Sequence, residues 1–124
     1  RSLLSIAKER LMSVEITVYG IKNCDTVKKA CKYLSAHNAH YQFIDFRQTP
    51  LSVDTIKVWI ESIGWEALVN KRSSTYRSLS ELQKSNITIE LLIAQPTIIK
   101  RPVLVSGGVV VVGFTEEKYD QFVG

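Results

Sequence analysis

The chain has 124 residues, with 16 Lys and Arg against 12 Asp and Glu and a formal net charge of +4. That length supports one packed domain but not two comfortable ones. No segment approaches the roughly 20 apolar residues of a membrane-spanning helix. The cations are scattered apart from Lys28, Lys29 and Lys32. This argues against direct nucleic-acid binding and for anionic small molecules or acidic proteins as partners.

Met12 is the sole methionine, and a strand pattern starts just after it. Residues 1–11 are therefore expected to be an extension upstream of a single domain over residues 12–124. The apolar run Leu3 to Ala7 is too short for a secretory signal. Two cysteines, Cys24 and Cys31, are too few for a disulfide framework. On one helix their Cα atoms would stand about 10 Å apart, beyond disulfide reach. A reduced, cytoplasmic monomer is expected, with no membrane association.

Glu15 to Gly20 reads as a strand through Ile16, Val18 and Tyr19. Asn23-Cys24-Asp25-Thr26 then opens a helix, with Asn23 or Asp25 as capping candidate. Val27, Ala30, Cys31 and Leu34 form its apolar face, and His37-Asn38 is a plausible stop. Tyr41 to Phe46 is a second strand. Ser52 caps a helix that buries Ile56, Trp59, Ile60 and Ile63 and ends at Gly64. Short helices are expected around Glu66–Val69 and Ser80–Lys84, with Asn70 to Thr75 as a loop. Thr88 caps a further helix through Ala94, with Ile87 stapled onto Leu92. Gly107-Gly108 between Val103–Val105 and Val109–Val112 is a hairpin signal. Both strands are nearly all apolar, as for strands covered on two faces. Thr115 starts a last helix. The order β-α-β, helical block, β-β-α predicts a mixed α/β sheet with helices on both faces.

Cys24 sits where a strand has ended and a helix begins. Unpaired amides and the helix dipole favour a thiolate there, so Cys24 is the candidate nucleophile. Cys31 lies on the apolar face and reads as core. Arg72 and Arg101 are candidate anion ligands, because a guanidinium presents paired donors to carboxylate or oxyanion. Arg77 is a further candidate. Pro102 opens an apolar strand, where proline is unexpected, and such a proline sometimes marks a cis bond. His37 and His40 have no other histidine with them, so no metal site is expected.

The run Tyr19-Gly20-Ile21-Lys22-Asn23-Cys24-Asp25-Thr26-Val27-Lys28-Lys29-Ala30 resembles the opening of the arsenate-reductase-like family. The resemblance is to its YffB-like branch, within the wider Spx group. It continues through Leu68-Val69-Asn70-Lys71-Arg72, Lys100-Arg101-Pro102-Val103 and Val112-Gly113-Phe114. It implies a thioredoxin-like fold with a helical insertion and Cys24 as nucleophile. It also implies Arg72 and Arg101 beside that cysteine as anion ligands, and Pro102 as the cis-proline. Arsenate reductases of this type carry a third arginine where Gly113 stands, so arsenate reduction is not expected. Spx regulators typically carry a second cysteine where Val27 stands, which excludes an intrahelical disulfide.

The function implied is a glutathione-dependent monothiol reductase. Glutathione would be its cosubstrate, glutaredoxin a candidate partner, and no cofactor would be bound. The alternative is an Spx-like regulator that docks on RNA polymerase without turnover.

Overall fold

The computed structural model describes residues 15–123. The segment 1–11, expected as an upstream extension, lies outside the described residues. Strand β1 (Ile16–Gly20) leads into helix α1 (Asp25–Ala36), and β2 (Tyr41–Asp45) follows. Helices α2 (Val53–Leu68), α3 (Ser74–Arg77), α4 (Glu81–Lys84) and α5 (Ile89–Ala94) form the central insertion. A 3-10 turn (Pro96–Ile98) precedes β3 (Val103–Ser106) and β4 (Val109–Val112). Helix α6 (Glu116–Tyr119) and a 3-10 turn (Asp120–Phe122) close the chain.

The sheet order is β2-β1-β3-β4. β1 pairs parallel with β2 and antiparallel with β3, and β3 pairs antiparallel with β4. This is the thioredoxin-like arrangement. Period-two alternation sends successive side chains to opposite faces, and each face has its own core. Val103 joins Ile56, Trp59, Leu68 and Leu92 on the insertion side. Leu104 joins Ile16, Val18, Ala30, Leu34 and Tyr119 on the α1 and α6 side. Trp59 is 1% exposed, and burying a side chain of that size contributes roughly 2–3 kcal/mol. No helix among the described residues is long and apolar enough to cross a membrane.

Local signals account for most element ends. The side-chain oxygens of Ser52, Thr88 and Thr115 accept from the amides of Thr55, Leu91 and Lys118. Ser80 and Gln83 form a complete capping box. At the end of α1, Asn38 has φ 58°. There the Ala39 amide bonds the Leu34 carbonyl and the Asn38 amide bonds the Ser35 carbonyl, the two bonds of a Schellman motif. Gly107 and Gly108, at φ 55° and 84°, make the hairpin turn.

Two expectations change, the capping residue of α1 and the length of the loop after Asn70. The N-cap of α1 is Cys24 itself, rather than Asn23 or Asp25. As expected, Gly64 ends the first helical stretch of α2 at φ 82°, ψ 164°, and the short helix expected after it follows across this kink to Leu68. The Asn70–Thr75 loop is shorter than expected, because Ser73 caps α3 by accepting from the Tyr76 amide. Finally, β4 is an edge strand. Val110 and Val112 still pack on the insertion-side core and Val111 on the opposite one, so both of its faces are covered, while Val109 at its start is 41% exposed.

Candidate active site

Cys24 is delivered by a tight turn between β1 and α1. Its amide donates to the Ile21 carbonyl at 3.3 Å, and its own carbonyl accepts the first helical bond, from Lys28, at 3.0 Å. The residue is extended, with φ −109° and ψ 124°. Among the described residues its side chain makes no capping bond. The half-buried thiol therefore stands at the start of a 12-residue helix whose first-turn amides donate to no capping side chain among the described residues. Those amides and the helix dipole favour negative charge at this point.

The thiol lines a cavity of about 410 Å³. Ile21 and Asn23 come from the same turn as Cys24, and Arg47 comes from the turn after β2. Ser73, Ser74 and Thr75 come from the start of α3, Thr97 from the 3-10 turn, and Arg101 from the approach to β3. Among the described residues no Asp or Glu lines it. Hydroxyl residues and two arginines, with no acidic residue among the described lining residues, suit an anionic ligand.

The Arg101 segment is pinned to the end of α2. The Lys100 amide donates to the Leu68 carbonyl at 2.8 Å and the Asn70 amide to the Ile98 carbonyl at 2.7 Å. Val69 and Ile99 form an isolated antiparallel bridge. The hydroxyls of Thr75 and Thr97 meet at 2.6 Å, which ties α3 to the 3-10 turn. The Arg101–Pro102 peptide bond is cis. The Gly113 amide donates to the Pro102 carbonyl at 2.9 Å.

Cys24 and Arg101 are thus brought together. Arg72 is not: it is exposed and is not among the residues lining the cavity. Its amide donates to Asn70 Oδ1 at 3.0 Å, and its carbonyl accepts from Arg77 Nη2 at 2.6 Å and Nε at 3.2 Å. Arg77 is thereby committed to holding this loop. The second guanidinium in the cavity belongs to Arg47, which sequence reasoning missed. The available signal was Asp45 two residues earlier, since Asp at a strand end often bonds the amide two residues on.

Cys31 has a different environment. It is half-buried in the core on the α1 and α6 side, and burial pushes its thiol up while a hydrogen bond from Tyr41 partly opposes this. Both cysteines are free thiols. Among the described residues no three His, Cys, Asp or Glu side chains gather as metal ligands.

Known proteins share this architecture. An uncharacterized protein of Haemophilus influenzae is 44% identical over 108 residues, spanning 84% of this chain and 95% of its own. The solved structure of a YffB protein superposes with a TM-score of 0.83 at 38% identity, covering 88% of this chain and 99% of the other. The global transcriptional regulator Spx of Listeria innocua is 26% identical over 112 residues, 86% of each chain. The ArsC family model matches residues 19–122, a span running from the end of β1 to the last 3-10 turn, and the chain belongs to the ArsC family.

Proposed function

We propose that the chain is a glutathione-dependent monothiol reductase with Cys24 as nucleophile. The observation that carries this reading is the single cavity lined by Cys24, Arg101 and Arg47, with no Asp or Glu among its described lining residues. In the first step the Cys24 thiolate attacks the glutathionyl sulfur of a mixed-disulfide substrate. A Cys24–glutathione disulfide forms, the substrate S–S bond breaks, and the substrate sulfur leaves as a thiolate that takes a proton from water. A second glutathione thiolate then attacks the glutathionyl sulfur, the Cys24–sulfur bond breaks, and the Cys24 thiolate and glutathione disulfide are released; with glutaredoxin in its place, the glutathionyl group leaves as a mixed disulfide on the glutaredoxin cysteine.

Arg101 binds a carboxylate of glutathione in this scheme. Arg72, on the exposed turn next to Ser73, would act as a second ligand only with its side chain laid over the cavity mouth. Arsenate is not the proposed substrate, because Gly113 stands where a third arginine would be needed.

The test is intact-mass analysis after incubation with glutathione disulfide. One glutathione adduct mapped to Cys24, lost in Cys24→Ser, supports the reading. Absence of the adduct sinks it. The similarity to Spx favours a second reading, a regulator that docks on RNA polymerase. Co-purification with polymerase subunits, together with no turnover in a glutathione-coupled disulfide assay, would select it.

A further inference from the structure

Asp45 ends β2, and its carboxylate is engaged by two segments. Oδ2 accepts from the Lys22 amide at 3.2 Å, and Oδ1 accepts from the Arg47 amide at 2.9 Å. Its backbone carbonyl accepts from the amides of Gln48 and Thr49 at 3.0 and 2.8 Å. Lys22 lies in the turn that delivers Cys24, two residues before it, and Arg47 lines the same cavity. One carboxylate thus ties the thiol turn to the turn that carries a guanidinium. The β1–β2 pairing supports this tie, since Gly20 stands opposite Asp45 and its carbonyl accepts from the Phe46 amide at 3.1 Å. Asp45 does not itself line the cavity.

A long arginine side chain loses rotamer freedom when it binds an anion. Fixing its backbone at the cavity wall limits that loss. We propose that Arg47 is an anion-binding residue of the cavity and that Asp45 is the positioning residue holding Arg47 and the thiol turn in register. The proposal rests on the cavity being an anion site, but not on glutathione being the anion.

The test compares alkylation of Cys24 by iodoacetate, which is anionic, and iodoacetamide, which is neutral, on the intact chain with sites mapped by peptide mass. The neutral reagent corrects for any change in the thiol itself. Arg47→Ala should lower the iodoacetate-to-iodoacetamide rate ratio roughly two- to fivefold, the size expected for losing a partly solvated charge contact. Asp45→Ala should lower it too, although removing a negative charge would by itself raise it. Asp45→Asn, which keeps one acceptor, should lower it less and serves if Asp45→Ala does not fold. Lys57→Ala, an exposed cation on α2, should leave the ratio unchanged. An unchanged ratio in Arg47→Ala overturns the role of Arg47. A raised ratio in the Asp45 variants shows a charge effect without positioning and overturns the role of Asp45. An equal fall in Lys57→Ala overturns both. If the ratio behaves as expected but no glutathione adduct forms, only the glutathione reading falls.

Discussion

Arg101 donates from Nη1 to the carbonyl oxygen of Thr97 at 3.1 Å. The turn just upstream of the guanidinium therefore holds it against the cavity wall, and its other N–H groups remain for a ligand. Arg72 has no comparable anchor for its guanidinium among the described residues, since only its backbone is engaged.

Replacing Arg101 by Ala should weaken glutathione binding about ten- to a hundredfold, from a charge-assisted contact of roughly 1.5–3 kcal/mol. Arg72→Ala should weaken it less than about tenfold, as an exposed contact. Calorimetry beside thermal melting separates binding from folding. A larger binding loss in Arg72→Ala than in Arg101→Ala would reverse the assignment.

The approach of β1 to α1 depends on Gly20. A Cβ there would stand 2.7 Å from Cγ2 and 3.3 Å from Cγ1 of Val27, a buried residue in the first turn of α1. Gly20→Ala should destabilise by about 1–3 kcal/mol, as overpacking does. It should also displace the turn that presents Cys24. Adding Val27→Ala should recover part of the loss, which urea denaturation of the double variant would show. Strict additivity of the two changes would place the strain elsewhere.

Gly113 has φ 75°, and a Cβ there would find only Lys118 Nζ, at 3.9 Å. The obstacle to a side chain is the backbone conformation rather than space. Gly113→Ala and Gly113→Arg should therefore cost similar amounts, about 1–2 kcal/mol, and Gly113→Asn less, because Asn tolerates this region. Thermal melting of the three variants checks the order. A stable Gly113→Arg variant would remove the physical reason for glycine here.

Burial raises the Cys31 thiol above its ordinary value of 9.0, and the Tyr41 hydrogen bond only partly opposes this. The fold therefore favours the protonated thiol. That contribution is fully present below the ordinary value and is lost as pH rises through the raised one. Tyr19, Tyr33 and Tyr119 are also pushed up, Tyr33 to about 12 through its hydrogen bond to Asp120. Alkaline instability is thus shared, and because Cys31 also raises Tyr41 and Tyr119, the difference between variants reports the cysteine together with its effect on those two tyrosines. Cys31→Ala should lose stability less steeply than wild type between about pH 8 and 11. Parallel denaturation curves for the two proteins would clear Cys31 of any part in it.

The sequence by itself determined what is local. Ser52, Thr88 and Thr115 start helices because each oxygen reaches an amide three residues on, and Gly107-Gly108 turns the hairpin because both residues accept positive φ. The placement of Cys24 at a strand-to-helix turn was legible for the same reason, as was the nearly all-apolar run that gives β3 two buried faces. The tertiary structure decided what depends on distant segments meeting. Four valines in a row look alike on an edge and in a centre, so only strand order shows β4 to be the edge. Gly64 reads as a helix end and is one, but where the short helix after it docks is set by Leu68 and Val69, which pack into the core and pair with the Ile98–Lys100 segment. Arg47 rather than Arg72 lines the cavity for a related reason. A guanidinium's position is set by where its backbone is anchored, and the anchor of Arg47 is the same Asp45 carboxylate that holds the Lys22 amide, brought beside it by the parallel pairing of β1 and β2.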